Sequence, residues 1–184
     1  QAVLRGVGDR RLGTFVMEAS EKLKTPRTLQ ALWSELHRAG VSRNDIVLAV
    51  GGGIVLDVGA FAASTWMRGV RLVLAPTTLL AQVDACLGGK TAVNVGGVRN
   101  QAGTFYPADL VWICAEILTT LPEREYRCGC GEILKTAILS GSAELQEIAG
   151  GLPLPGRERT EWSRRAASAC LAFKAGIVEA DPEE

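Results

Sequence analysis

Residues 51–100 hold most of the side chains whose types and spacing could do chemistry. The apolar run 46–50 is followed directly by Gly51-Gly52-Gly53. Glycines after a buried strand let backbone N–H groups approach phosphate, and nearby cations add charge complementarity. The same stretch carries further polar and charged candidates, namely Asp57, Arg68, Thr77, Thr78, Asp84, Gly88-Gly89-Lys90-Thr91, Arg99 and Asn100. The pattern predicts a site for phosphorylated ligands, two rather than one.

The glycine turn matches neither of the two common phosphate-binding motifs. A Walker A loop ending in Gly89-Lys90-Thr91 would need glycine at position 84, where the chain has Asp84. A Rossmann fingerprint beginning at Gly51 would place its third glycine at Leu56, and no acidic residue follows about 20 residues later. The turn is therefore of another kind. By itself it also fits a tight strand-to-helix connection without a ligand.

A second candidate site lies in a predicted helix, where Glu132 and Lys135 are three residues apart and share one face. One interpretation is a solvent-exposed ion pair, the usual fate of such residues. The other is an enclosed polar site, in which a carboxylate is a candidate metal ligand. The neighbours are small or apolar, which favours enclosure: Gly131, Ile133, Leu134, Ala137 and Ile138. The residues alone leave both interpretations open.

Hydrophobic periodicity predicts the elements that position these residues. A first helix begins at Thr25-Pro26 and ends at Gly40. Strands are predicted over 46–50, 70–75 and 110–114, and further helices over 54–64, 123–139 and 161–178. This alternation predicts an α/β fold with a parallel sheet, whose ligands gather beyond the carboxyl ends of the strands. We predict an α/β domain over 1–120 and the start of an all-helical domain over 121–184.

Composition excludes several classes of function. Lys and Arg total 20, as do Asp and Glu, so net charge gives no reason to expect nucleic acid or a membrane surface as partner. Aromatic residues make up 5%, too few for the stacking platforms of single-strand binders. No apolar stretch is long enough to span a bilayer and no signal peptide opens the chain. Five cysteines, an odd number, favour reduced structural thiols in a soluble cytoplasmic protein.

Several motifs together resemble the 3-dehydroquinate synthase family of the sugar-phosphate cyclase superfamily. Their order and spacing agree with that family from about residue 18 to residue 184. The motifs are Gly51-Gly52-Gly53-Ile54-Val55-Leu56-Asp57, Thr65-Trp66-Met67-Arg68-Gly69, residues 76–84, residues 88–94, Arg99-Asn100, residues 121–125 and Gly131-Glu132-Ile133-Leu134-Lys135. The run from Pro76 to Lys90 is highly specific.

The resemblance implies NAD held by the α/β domain, a divalent metal (zinc or cobalt), and a phosphorylated sugar acid as substrate. That substrate is the seven-carbon DAHP of the shikimate pathway. In this family NAD transiently oxidises a ring alcohol and phosphate is eliminated. The ketone is then reduced back, and ring opening with aldol closure gives 3-dehydroquinate. The resemblance also implies a cytoplasmic homodimer with neither nucleic acid nor membrane as partner.

Carried over by position, the resemblance implies three sets of site residues. The cofactor set is Glu21, Lys24, Gly53, Ile54, Val55, Leu56, Asp57, Thr77, Thr78, Lys90, Arg99, Ile117, Leu118, Thr119 and Thr120. The substrate and catalytic set is Arg68, Asp84, Lys90, Asn100, Lys135, Lys174 and Glu184. The metal set is Glu132 alone. The cations among them would neutralise phosphate and carboxylate.

Departures from the family pattern leave alternatives open. Leu56 replaces a usual glycine and is common in related cyclases that make other carbocycles, while Arg99 replaces a usual lysine. The family's two metal-binding histidines would lie beyond residue 184, and a catalytic zinc usually has three protein ligands. We therefore expect the 184-residue chain to be incomplete and inactive by itself. Another sugar-phosphate cyclase of secondary metabolism, or a truncated non-catalytic NAD-binding relative, are the alternatives.

Overall fold

The computed structural model describes residues 12–151 and 157–181 of the chain. The helices and strands are α1 (Pro26–Arg38), β1 (Ile46–Gly51), α2 (Gly53–Thr65), β2 (Arg71–Pro76), β3 (Lys90–Val95), β4 (Val98–Phe105), β5 (Leu110–Val111), α3 (Glu123–Ser140), α4 (Ala143–Gly150) and α5 (Arg157–Ala180). Short 3₁₀ turns lie at Glu21–Leu23, Trp66–Arg68 and Ala115–Thr120, and a π-helical turn at Ala81–Ala85. No helix among the described residues is both long and apolar enough to cross a bilayer.

Helix α1 begins where the sequence predicts. The Thr25 hydroxyl accepts a hydrogen bond from the backbone N–H of Thr28 at 3.3 Å, and Pro26 occupies the first helical position. Pro there loses nothing, because the first N–H groups of a helix have no partner within it. Gly40 follows the helix with φ of +69°, a conformation that glycine adopts without strain.

A three-stranded parallel sheet in the order β1-β2-β5 confirms the predicted α/β class. Helix α2 connects β1 to β2 and packs tightly on β1, since a Cβ added at Gly59 would lie 2.8 Å from the Cβ of Ala49. Strand β5 covers only two residues of the predicted 110–114. The carboxyl ends of all three strands meet at one edge, where α/β folds bind their ligands.

A β-hairpin formed by β3 and β4 was not predicted, and it corrects the expectation that strands here only alternate with helices. Gly96 and Gly97 have φ of +58° and +83°, as the two central residues of a type I′ turn require. Outward-facing residues dominate β4, which hides the strand from a search for apolar periodicity. The signal in the sequence was the Gly-Gly pair between Val95 and Val98.

The helices after residue 121 share a core with the α/β part, because Leu79 and Val83 pack with Ile133 and Leu145. Helices α3 and α5 fall where the sequence predicts, and α4 is an additional short helix. The predicted domain boundary near residue 120 stays a prediction. All five cysteines have free thiols, as expected for reduced structural residues.

Tyr126 anchors α3 against α5 inside this core. Its hydroxyl lies 2.7 Å from the Ser163 hydroxyl, and the Arg159 guanidinium sits 4.0 Å from its ring centroid. We expect Tyr126→Phe to lower the free energy of unfolding by about 1 kcal/mol, because one buried hydrogen bond is lost. Ser163 keeps its bond to the Arg159 carbonyl, so no buried group is orphaned. Urea denaturation of Tyr126→Phe, Ser163→Ala and the double variant measures the coupling; strictly additive losses would contradict it.

Candidate functional site

The glycine turn after β1 forms one wall of the site. The Gly51 carbonyl accepts a hydrogen bond from the Thr77 N–H at 2.9 Å, which joins the ends of β1 and β2. A Cβ added at Gly52 would lie 2.9 Å from the Thr78 methyl carbon, so glycine allows this close approach. Helix α2 begins at Gly53 without an acidic residue in its first turn. Because the N-terminus of α2 lies at the carboxyl end of β1, the positive end of the helix dipole lies at this edge of the sheet, and no carboxylate in the first turn neutralises it. Helix termini that bind anions have this arrangement.

A buried lysine links three predicted site residues. Lys24 is 4% exposed, and its ammonium pairs with the Asp57 carboxylate and donates to the Asn100 side-chain oxygen at 2.5 Å. Burial raises the pKa of Asp57 above its usual value, while the hydrogen bond and charge of Lys24 act against that rise. Thus Lys24 joins the 3₁₀ turn before α1, helix α2 and strand β4 at one point.

A cleft opens beside this cluster. Lys90, the first residue of β3, lines it together with Asp57 of α2. The lining residues are Leu56, Asp57, Ala60, Leu74, Ala85, Cys86, Gly89, Lys90, Thr91, Tyr106 and Ala108. The cleft has room for about one water molecule (about 10 Å³), and it places a carboxylate and an ammonium beside apolar side chains.

A second ion pair reaches the same region from α5. The Lys174 ammonium donates to the Asp84 carboxylate at 2.6 Å and to the Asp84 carbonyl at 2.8 Å. A Cβ added at Gly88 would lie 3.6 Å from Lys174 Cε, so this lysine lies next to the Gly88-Gly89 pair that precedes Lys90. Asp84 and Lys174 therefore contact each other directly, and their predicted role in the substrate set stays a prediction.

Gln82 is a supporting residue that the sequence did not single out. Its side chain is fully buried and its amide donates to the carbonyls of Pro76 (3.1 Å) and Cys114 (2.9 Å). These bonds tie the end of β2 to the segment that follows β5. The signal in the sequence was its place in the run from Pro76 to Lys90, two residues before Asp84.

Glu132 and Lys135 form the ion pair expected on α3, with Glu132 16% exposed and Lys135 56% exposed at their side chains. Burial, chiefly, raises the pKa of Cys170 to about 11, and the charges of Glu132 and Asp84 add to this rise. Both carboxylates therefore lie within electrostatic range of one thiol. The predicted enclosure was wrong for Leu134 and Ile138, which are 53% and 71% exposed, because these side chains point away from the core.

A metal centre needs more ligands than the described residues provide. Among them, no group of three or more His, Cys, Asp and Glu residues could hold a metal ion. Glu132 supplies one carboxylate, whereas a catalytic zinc usually has three protein ligands. The predicted role of Glu132 therefore stays a prediction, and Glu184 lies outside the described residues.

Arg68 lies away from this edge in the described chain, and its predicted role in the substrate set stays a prediction. It follows α2, whose 13 residues span about 20 Å. Since α2 starts at the carboxyl end of β1, its far end and Arg68 lie near the start of β2, at the opposite edge of the sheet. Arg68 and Met67 also have positive φ, 66° and 49°, in the connection to β2.

The remaining residues of the predicted cofactor set lie in different environments. Leu118 is buried in the helical core, so its side chain contacts other core residues. Ile117, Thr119 and Thr120 lie in the turn after β5, where the Thr hydroxyls donate to backbone carbonyls. Arg99 lies exposed with Nε 3.9 Å from the Glu21 carboxylate. Ile54 and Val55 stand in the first turn of α2. Their contact with a cofactor stays a prediction.

Comparison with known proteins agrees with this geometry. The family model described as 3-dehydroquinate synthase N-terminal matches residues 14–128. A 3-dehydroquinate synthase from Thermococcus kodakarensis is 43% identical over 167 residues, covering 91% of this chain and 46% of that protein. The chain thus spans about half the length of the curated relatives it matches.

Two solved structures share the fold. A 2-deoxy-scyllo-inosose synthase complexed with carbaglucose-6-phosphate, NAD+ and Co2+ aligns with a TM-score of 0.72 and 26% identity, over 86% of this chain and 44% of that one. A 2-epi-5-epi-valiolone synthase from Streptomyces hygroscopicus with NAD+ and Zn2+ bound gives 0.71 and 27%, over 92% and 48%. With its glycine turn, buried Lys24 cluster and matched N-terminal region, the chain belongs to the 3-dehydroquinate synthase family.

Proposed function

We propose that this chain is the NAD-binding and part of the substrate-binding portion of a 3-dehydroquinate synthase, which converts DAHP to 3-dehydroquinate with elimination of phosphate. One observation carries the proposal most strongly: Lys24, Asp57 and Asn100 converge beside the cleft that Lys90 lines. Ammonium groups suit phosphate and carboxylate recognition, and both groups are present on DAHP.

The residues present fit NAD. The N-cap of α2 is Gly52, so no side chain occupies the cap position of this helix, which suits a pyrophosphate at a helix N-terminus. Both solved relatives described above contain NAD+. When bound, NAD would supply the hydride chemistry, and the protein would supply orientation and electrostatics. We assign Gly53 through Asp57, Thr77 and Thr78 to holding it.

The protein's own residues would bind and orient the sugar acid. Lys90 would pair with the phosphate or carboxylate of the sugar acid at the mouth of the cleft. Lys174 would present its ammonium from α5, with Asp84 fixing its position through two hydrogen bonds. Asn100 would be oriented by Lys24. Because these groups come from separate segments, the folded protein sets their spacing and reduces the entropy lost on binding.

A metal does not fit the described residues alone, so we derive no chemical step through one. The Zn2+ and Co2+ in the two solved relatives support a divalent metal in the complete protein, with Glu132 as the predicted first ligand. The homodimer implied by the family resemblance likewise stays a prediction.

A different sugar-phosphate cyclase is the second candidate. Leu56, which such cyclases often carry, lines the cleft and is buried. The identities favour the first candidate, since the Thermococcus synthase is 43% identical and the two other cyclases are 26% and 27% identical. A non-catalytic relative would bind NAD and release no phosphate.

The test is phosphate release by the full-length protein with NAD and zinc. We expect release from DAHP and none above background from glucose 6-phosphate.

We expect Lys90→Ala to lower kcat/KM by about tenfold to hundredfold, because the substrate phosphate would lose charge-assisted hydrogen bonds worth about 1.5–3 kcal/mol. Lys22→Ala is the matched control, since Lys22 lies exposed in the turn before Lys24.

Three outcomes would each contradict part of the proposal. Release from glucose 6-phosphate in place of DAHP would identify a different cyclase. NAD binding without any release would identify a non-catalytic relative. Equal kinetics for the parent and Lys90→Ala would remove Lys90 from the substrate site.

A further inference from the structure

Asn94 occupies an irregular position in the hairpin. The β3–β4 ladder runs regularly from Lys90 opposite Phe105 to Val93 opposite Ala102, and it resumes only at Val95 opposite Val98. A register shift of this kind is a bulge, which redirects a side chain and often lies next to a functional site. Asn94 is the residue at this shift, so its polar groups are available for contacts outside the ladder.

Those contacts join two distant segments. The Asn94 N–H donates to the Lys24 carbonyl at 2.8 Å, and its side-chain amide donates to the Glu21 carboxylate at 2.7 Å. Its side-chain oxygen accepts from the Asn100 N–H at 2.9 Å. Only a side chain with both a donor and an acceptor can make the last two bonds together. Asn94 therefore connects the Glu21–Leu23 turn to strand β4.

The bond to Asn100 has a conformational consequence. Asn100 has φ of +53°, a left-handed conformation that is uncommon outside glycine but that asparagine adopts more readily than most residues. The Asn94 oxygen holds its N–H in that conformation. Asn100 can then direct its own side-chain oxygen to the Lys24 ammonium at 2.5 Å.

We propose that Asn94 is a positioning residue that sets the orientation of Glu21, Lys24 and Asn100 for ligand binding without touching the ligand itself. This inference rests on the proposed function, because those three residues are its cofactor and substrate groups. The side-chain amide N–H of Asn94 would orient Glu21, which belongs to the proposed cofactor set. The side-chain oxygen of Asn94 would orient Asn100, which belongs to the proposed substrate set.

The donor role and the acceptor role of the Asn94 side chain can be tested separately by substitution in the full-length protein. Asn94→Asp keeps an oxygen for the Asn100 N–H but loses the donor to Glu21 and places a second carboxylate beside it. Asn94→Leu, of similar size, removes both bonds. We expect both variants to weaken NAD binding about tenfold, the effect of about one lost hydrogen bond to a charged group. We expect the KM for DAHP to rise about tenfold only in Asn94→Leu.

Calorimetric titration with NAD and steady-state phosphate release give these values, with Asn44→Leu as matched control. Asn44 is exposed before β1, at the opposite edge of the sheet. An unchanged NAD dissociation constant in Asn94→Asp, the milder variant, would overturn the inference even if Asn94→Leu failed to fold. An equal rise in KM for both variants would also overturn it. A parent protein that binds no NAD would overturn the proposed function and this inference with it.

Discussion

Replacing Lys24 by methionine (Lys24→Met) in the full-length protein is expected to lower the free energy of unfolding by about 3 kcal/mol near neutral pH. The substitution keeps the length of the side chain and removes its charge. It leaves the Asp57 carboxylate, which is largely buried, without its ammonium partner. Breaking a buried pair in this way costs much more than an exposed one, because the remaining charge stays desolvated. NAD binding should fail in the same variant.

The loss should depend on pH in a defined direction. Burial already raises the pKa of Asp57 in the folded protein above its usual value, and Lys24 opposes that rise. A group with a raised folded pKa stabilises the fold below its unfolded value of about 4 and loses this contribution as pH rises through the folded value. Without Lys24 the folded pKa rises further. The defect of Lys24→Met should therefore be smaller at about pH 5 than at about pH 8.

Urea denaturation at both pH values measures this, with two matched controls. Lys22→Met changes an exposed lysine two positions away and should leave stability unchanged. The double variant Lys24→Met/Asp57→Asn removes both charges and should recover much of the lost stability, because no unpaired buried carboxylate remains. If the double variant is as unstable as Lys24→Met alone, the ion pair is not the cause.

Gly103→Ala is expected to have the second large effect, a loss of about 3 kcal/mol or more in unfolding free energy. A Cβ at this position would lie 1.7 Å from the Thr91 carbonyl oxygen, which belongs to the paired strand β3. The obstacle is backbone, so it cannot rotate away as a flexible side chain would. The two strands must separate. Since Lys90 and Asn100 stand on this hairpin, ligand affinity should fall with stability.

A glycine in open space provides the control. At Gly176 in α5 a Cβ would meet nothing within 4 Å, and Gly176→Ala should stabilise the protein by about 0.5 kcal/mol through a less flexible unfolded chain. Thermal unfolding of the two alanine variants compares them directly. A Gly103→Ala protein that melts with the parent and binds NAD equally well would show that the hairpin tolerates a wider spacing.

The sequence predicted those elements that have strong local signals. Thr25-Pro26 marked the start of α1, and continuous apolar runs marked β1 and β2. The hairpin was missed because β4 is mostly exposed and the Gly96-Gly97 pair was not interpreted as a turn. The sequence analysis also missed helix α4, because a helix of eight residues is too short to show a clear apolar period. Both omissions concern elements without a long apolar period.

The site was harder to predict than the fold, because its contacts join residues far apart in sequence. Lys24 contacts Asp57, which is 33 positions away in sequence, and Asn100, which is 76 positions away. No local pattern indicates such pairs, and the family resemblance alone suggested them. The same resemblance placed Arg68 with them, and the geometry of α2 shows it at the other edge of the sheet. Asn94 was missed because its role depends on a bulge that exists only in the folded hairpin.

The Lys174–Asp84 pair has a consequence for how the protein matures. Its members are 90 residues apart, so during synthesis the carboxylate leaves the ribosome long before its ammonium partner. Contacts this distant form late, since a large loop must close before they stabilise anything. A nascent chain can therefore acquire its glycine turn early and its full set of charges only at the end of folding. The Lys174–Asp84 contact is thus absent from early folding intermediates.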